Sequence, residues 1–269
     1  MTIETAGVRI RINPRHAYTE RLCQEYLAAE GPEAEMTIAL TEAEIRRGMA
    51  RMAPGTRDAG IAESTVIYEK ICNAMPKYNA FVMHAAAIAV DGWAYAFAAE
   101  SGTGKSTHIG YWREILGDRM TVINGDKPIC RFMEDGELRI FGTPWRGKEG
   151  WGTRTSAPLR AVCLLERGTE NGIAPIGGSG LWGKIDPHFH VNQPAETDLP
   201  RMMGLIGRMM RETPFYRLRC RNEVGAAEMA IRFLLPGLRL QDRWDGSSVI
   251  TTEEPSPSPA SGIREEEKA

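Results

Sequence analysis

The densest chemistry in the chain lies at Ala99-Glu-Ser-Gly-Thr-Gly-Lys-Ser106. Gly, four residues, then Gly-Lys-Ser/Thr is a spacing that cradles phosphate. Here Ala99 stands in the opening glycine's place and keeps a small side chain at the turn. Gly102 and Gly104 let successive amides turn inward as an anion nest, and a helix beginning just beyond adds its free N–H groups. Lys105 then supplies a charge for the outer phosphates, and the Ser106 hydroxyl an oxygen suited to Mg²⁺. Ser101, Gly102, Thr103, Gly104, Lys105, Ser106 and Thr107 are therefore the expected nucleotide-binding residues. The plain alternative is a Gly-rich turn with an exposed lysine. Two glycines, Lys-Ser, a preceding strand and a following helix, all in order, speak against it.

The acidic partner is Asn124-Gly-Asp-Lys-Pro128, after a strand over Met120 to Ile123. A carboxylate at a strand end is where a phosphate-loop enzyme keeps a residue for Mg²⁺ or its water. Asp126 is that candidate and Ser106 the other metal ligand, although Asn-Gly-Asp-Lys-Pro alone would read as an ordinary turn. His84 sits in an apolar run and is a candidate to contact phosphate or orient a base; a hydrogen-bonded core histidine is the competing reading. Glu100, inside the loop, is a candidate for metal or acceptor, or an exposed acid. Arg146, Lys148 and Arg154 lie in a glycine-rich segment whose backbone can approach a ligand and whose cations can neutralise transferring phosphate oxygens. Asp186, His188 and His190 fit no standard zinc spacing and read as a turn.

These residues need scaffolding. Val8, Ile10 and Ile12 alternate with arginines as a half-buried strand. A helix is expected over His16 to Glu30, a strand over Met36 to Leu40, a helix capped by Thr41 and Glu44, and another over Ile61 to Met75. Phe81 to Val90 is apolar almost throughout and reads as one strand. Asp91-Gly92 then turns into the alternating Trp93 to Phe97, a strong hairpin signal. The strand entering the phosphate loop thus gains an antiparallel neighbour, where common nucleotide-binding sheets would use a helical crossover. A helix over Ser106 to Leu116, a strand over 128–133, a methionine-rich helix over Leu199 to Arg211, a strand over Phe215 to Cys220 and a helix over Val224 to Leu234 complete the body.

Composition bounds the rest. The 269 residues are 42% hydrophobic and 25% charged, with 33 Lys plus Arg against 35 Asp plus Glu. Those values exclude collagen-like, wholly disordered and disulfide-scaffold classes. The formal charge of −2 gives no basic excess for a nucleic-acid partner. No apolar run approaches the ~20 residues of a membrane helix. MTIETAGVRIRINPRH lacks the start of a secretory signal, and five scattered cysteines read as reduced thiols, so a cytoplasmic chain is expected. Glu253 to Ala269 carries five acids, two bases and one aliphatic residue. It is expected to be a disordered tail. Residues 1–80 read as a small α/β unit and 81–252 as the catalytic body. The residues do not exclude a homo-oligomer.

Together, His84-Ala-Ala, the Asp91-Gly92 turn, Ser101-Gly-Thr-Gly-Lys-Ser-Thr107 and Asn124-Gly-Asp-Lys-Pro128 resemble the HPr kinase/phosphorylase group. Gly142-Thr-Pro-Trp-Arg-Gly-Lys148 and Pro158 to Arg167 look like HPr-kinase-related chains of small bacterial gene clusters. The resemblance covers Phe81 to Arg167. It implies an α/β fold with a mixed, largely antiparallel sheet, shared with phosphoenolpyruvate carboxykinase. It also implies Mg²⁺-dependent phosphoryl transfer from ATP or another nucleoside phosphate to a hydroxyl, with Asp126, Lys105, His84, Arg146 and Lys148 as catalytic candidates. The acceptor, a protein or peptide serine or a small metabolite, is left unnamed. In that group the acidic element is two adjacent Asp residues, the first serving as proton acceptor and donor. This chain has Gly125 there. Either Asp126 takes that role, or another group does, or the chain binds nucleotide and transfers slowly or not at all. Carboxykinase-type chemistry would want a second metal site of His, Lys and Asp, which these residues do not assemble.

Overall fold

A computed structural model describes residues 1–189, 196–237 and 249–250. The expected tail at 253–269, His190, and the end of the expected catalytic body at 238–248 and 251–252 lie outside the described residues.

The chain opens with β1 (Thr2–Thr5) and β2 (Val8–Asn13), antiparallel about Ala6 and Gly7 at φ 51° and 66°. Two positive φ values match the right-handed strand twist of a tight hairpin. β1 has no counterpart in the sequence reading because its four residues are too few to show a period. Next comes α1 (Ala17–Cys23), where a helix to Glu30 was expected. It tightens into a 3-10 turn at Gln24–Tyr26, and Leu27 then bridges to Ile3. Tyr26 is fully buried there, its hydroxyl donating to Thr153 O at 3.2 Å. Pairing with the sheet and anchoring this ring outweigh helix propensity.

β3 (Met36–Ala39) runs parallel to β2. α2 (Glu42–Ala50) begins with the expected reciprocal cap between Thr41 and Glu44. α3 (Ala59–Ala74) is capped by Asp58. Buried Glu63 on α3 accepts from Arg15 N, His16 N and Thr19 Oγ1, which fixes the start of α1. The core of this region includes Val82 and Ile129 from the segments that follow.

The expected single strand over 81–90 is two: β4 (Ala80–Val82) and β5 (Ala85–Val90). They part at Met83–His84, and the sequence holds no breaker to announce it. β5 turns through Asp91 and Gly92, φ 49° and 84°, into β6 (Trp93–Ala98), Val90 opposite Trp93. This is the expected hairpin. Then come α4 (Lys105–Leu116), β7 (Met120–Asn124), β8 (Ile129–Phe132), β9 (Leu138–Phe141) and the long β10 (Ser156–Arg167). After them follow β11 (Gly172–Pro175), α5 (Leu181–Ile185), α6 (Leu199–Glu212), β12 (Phe215–Cys220), α7 (Val224–Leu234) and β13 (Val249–Ile250).

The large sheet runs β13-β11-β12-β10-β6-β5-β7, with β9, β8 and β4 extending from the first residues of β10. β6 lies parallel to β10 and antiparallel to β5. The fold is thus α/β with a mixed, largely antiparallel sheet. Alternation on β6 divides the core. Ala94, Ala96 and Ala98 face one layer with Met202, Ile206 and Met209 of α6, while Tyr95 and Phe97 face α4 and α7. Met202 and Met209 therefore fill core, whereas Met203 is exposed. Among the described residues no helix is long and apolar enough to cross a membrane.

Candidate functional site

β6 ends at Ala98, and the chain curls through residues 99–104 before α4 starts at Lys105. Gly102 and Gly104 take φ 79° and 116°. A Cβ at either would touch nothing within 4 Å, so the backbone conformation, not crowding, demands glycine. Thr103 N donates to Glu100 O at 3.2 Å, closing the turn.

A residue the motif does not contain holds the loop's outer side. Arg167, at the end of β10, donates from Nη2 to Gly102 O at 2.6 Å and from Nε to Thr103 O at 3.2 Å. In a trans peptide the carbonyl and the following N–H point opposite ways. Holding Thr103 O therefore aims Gly104 N–H away from Arg167. Sequence separation hides this contact, which arises because β10 is the parallel neighbour of β6.

The loop walls a cleft of about 530 Å³ shared by His84, Glu100, Ser101, Lys105, Ser106, Thr107, Gly125, Asp126, Lys127 and Lys148. The end of β7 builds its acidic side. Buried Asn124 accepts from Asp126 N at 2.8 Å and Lys127 N at 2.7 Å, and its Nδ2 donates to Thr143 O and Oγ1. That double anchor sets the backbone at 126 and 127, so Asn124 is a positioning residue. His84 emerges where β4 and β5 part, with Ala85 N donating to Asp126 O at 3.1 Å. Its Nε2 lies 3.0 Å from Asp126 Oδ1, and Lys127 Nζ lies 3.4 Å from Oδ2. The apolar run that suggested a core histidine thus ends at a carboxylate.

Burial alone would raise the Asp126 carboxyl, but the His84 hydrogen bond and the charges of Lys127, His84 and Lys105 outweigh it and hold it at about 2. Burial lowers Lys105, aided by Lys127 and opposed by Asp126 and Glu149. His188, whose carbonyl accepts from His84 N at 2.7 Å, is held at about 4 by burial and then by the nearby cations. Its imidazole is neutral at pH 7.

Two expected site residues stand elsewhere. Arg146 pairs with Glu25 through both Nη atoms and lies 5.6 Å over the Tyr26 ring. Arg154 donates to Leu27 O at 2.9 Å and approaches Glu4. Both tie the 142–155 segment to the first 30 residues. Lys148, two residues from Arg146, does line the cleft. The segment crosses close over position 125: Gly125 N donates to Trp151 O at 2.8 Å, and a Cβ there would stand 2.9 Å from Arg146 O and 3.1 Å from Trp151 O. Glycine at the place of the expected first acid is what lets this segment close.

For Mg²⁺, the cleft offers the Asp126 carboxylate, held ionised, and the Ser106 hydroxyl, hard oxygens of the kind it takes. Among the described residues no three His, Cys, Asp or Glu side chains converge. A cation here would draw its other ligands from phosphate oxygens and water, as Mg²⁺ commonly does. The residues fit that ion.

No protein-family model matches the chain, and no curated protein matches it. A structure of the HPr(Ser) kinase/phosphatase from Coxiella burnetii is similar at 9% identity, over 58% of this chain and 88% of that one, with a TM-score of 0.32. At that distance, function is read from the residues of the cleft.

Proposed function

We propose that this chain is a cytoplasmic, Mg²⁺-dependent kinase that moves a phosphoryl group from ATP or another nucleoside triphosphate to a hydroxyl. One observation carries the reading: a carboxylate held ionised, Asp126, shares a cleft with a glycine nest, Lys105 and Ser106. Phosphoryl transfer is mainly positioning and charge stabilisation, and these groups are suited to both.

In this reading the loop amides and Lys105 bind the β- and outer phosphates. Ser106 and Asp126 hold Mg²⁺, which when bound neutralises phosphate oxygens. His84 fixes the Asp126 carboxylate through Oδ1. Lys127 and Lys148 add charge beside the transferring group. A carboxyl held at about 2 is a weak proton acceptor at neutral pH, which favours the metal role for Asp126. The acceptor is a protein or peptide serine or a small metabolite with a hydroxyl.

Gly125 supports a second reading, a nucleotide-binding regulatory module with impaired catalysis. General-base help is worth about 10²–10⁴-fold, so its loss would leave binding intact and slow the transfer. Titration of ADP and ATP with Mg²⁺ tests the shared premise: Lys105→Ala removes tight binding, and unchanged affinity would sink both readings. Transfer from γ-labelled ATP to serine peptides and hydroxyl metabolites separates them, since the module reading expects binding without turnover.

A further inference from the structure

A hydroxyl that attacks phosphorus must lose its proton, and a positioned side chain that accepts it speeds the step. Asp126 is poorly suited, since its carboxyl is held at about 2 and engaged by His84 and Lys127. Two other carboxylates line the cleft, those of Glu100 and Glu149.

A second pocket, about 510 Å³, lies between the start of the loop, the end of β10 and α5. Its volume falls in the range of small-ligand sites, roughly 300–1,000 Å³. Ala98, Ala99 and Leu164 give it apolar surface, and Glu166 and Lys184 an ion pair at 3.1 Å. Among the described residues, Glu100 alone belongs to the lining of both this pocket and the cleft. A carboxylate at that junction has the space for phosphate on one side and room for an acceptor on the other.

Glu100 is also fixed and unengaged. Thr103 N donates to its carbonyl at 3.2 Å, and Arg167 holds the carbonyls of Gly102 and Thr103, so the backbone beneath the side chain is set. The side chain is exposed, and among the described residues no hydrogen bond or ion pair engages it. Glu166, by contrast, is paired with Lys184. Glu149 sits on an exposed turn between Gly147 and Gly150, both at positive φ, and does not line the second pocket. A base needs a free oxygen and a fixed place beside the reacting hydroxyl.

We infer that Glu100 is the general base of the transfer. Its carboxylate takes the proton of the acceptor hydroxyl, whose oxygen then bonds to phosphorus. The bond from phosphorus to the bridging oxygen breaks, and its electron pair leaves with the nucleoside diphosphate. Glu100, being exposed, returns the proton to water. The inference rests on the kinase reading above and supplies the acid that position 125 lacks.

Water serves as the probe acceptor. The test measures phosphate release from saturating ATP with Mg²⁺ by the full chain, beside a calorimetric titration of ADP with Mg²⁺. Glu100→Gln keeps the side chain's size and removes the base, so release should slow at least about 100-fold. ADP should bind that variant as tightly as the native chain or more so, because one negative charge has left the loop. Glu100→Asp should recover part of the rate, and Glu149→Gln should slow release by no more than about threefold, far below the effect of losing a base. A Glu100→Gln chain that releases phosphate at the native rate overturns the base role, as does a native chain that binds ADP and releases none from ATP. Weaker ADP binding by Glu100→Gln overturns it too, being the mark of a metal ligand. A native chain that does not bind ADP overturns the phosphate-binding reading itself.

Discussion

Restoring an acid at position 125 is the obvious experiment on this site, and the structure predicts that it fails. The Cβ of any residue there would stand 2.9 Å from Arg146 O and 3.1 Å from Trp151 O. Both atoms are backbone, so neither can swing aside, and relief means lifting the 146–151 segment by a few tenths of an ångström. Lifting it stretches the 2.8 Å bond from Gly125 N to Trp151 O. Overpacking by one carbon costs about 1–3 kcal/mol. In a chain of this size that corresponds to a melting temperature roughly 2–6 °C lower. Gly125→Ala carries the Cβ without the acid and is the decisive control. Thermal denaturation of the native chain, Gly125→Ala and Gly125→Asp should show both variants destabilised to a similar degree. Neither should transfer phosphate faster than the native chain, because Lys148 lies in the displaced segment and Asp126 packs against it at Gly147. A Gly125→Ala variant as stable as the native chain would refute the packing argument. A Gly125→Asp variant with raised turnover would show that the segment yields and that an acid was the missing part.

Two other outcomes follow from the same geometry. Arg167→Ala should weaken ADP by about three- to tenfold, one hydrogen bond to a charged donor being worth about 1.5 kcal/mol or more before solvent discounts it; amide exchange at 102–104 should quicken without ligand, Arg167→Lys should recover part of both, and unchanged exchange in Arg167→Ala would end the clamp. His108 and His188 are held at about 3 and about 4, below the ordinary histidine value. The unfolded chain therefore binds more protons between pH 4 and 6.5, and stability falls as pH drops through that window, by up to about 1.4 kcal/mol per unit for each histidine. Urea denaturation from pH 7 to 4.5 reads this directly: His108→Gln should flatten the slope, and a flat native profile would contradict it.

What the sequence disclosed was local. The phosphate loop announces itself because its demands, two glycines at positive φ and a cation where the helix starts, are met within eight residues. Asp91-Gly92 is legible for the same reason, as two consecutive residues at positive φ. The capping box at Thr41 is another case of nearest-neighbour chemistry. Failures came where position depends on partners far along the chain. Nothing in Phe81 to Val90 marks Met83–His84 as a break, since it is set by β8 on one side and by β6 and β7 on the other. Arg146 looked equivalent to Lys148, yet two residues of irregular backbone put one against Glu25 and the other in the cleft. Arg167 lay in a run that resembled related chains but carried no sign of a role at the loop, because the strand adjacency that brings it there is a property of the sheet.

The charges of the cleft bear on how the proposed phosphate would be held there. Lys105, Lys127 and Lys148 line it, but so do Glu100, Asp126 and Glu149, so its formal side-chain charges cancel. Three acids beside three lysines would be a poor trap for a highly charged anion if side chains were the only source of potential. What remains is the backbone, the amides of Gly102 and Gly104 and the positive end of α4, together with any cation that Asp126 and Ser106 would hold. Each acid then has a use other than attraction. Asp126 offers oxygen to a cation, and the acids keep the lysines from binding anions without one. A site arranged this way favours a phosphate that arrives with its metal over a bare anion. The same cancellation would explain why net charge, −2 over the whole chain, gives no hint of the proposed ligand: in this reading the preference lies in amide directions, which composition does not count.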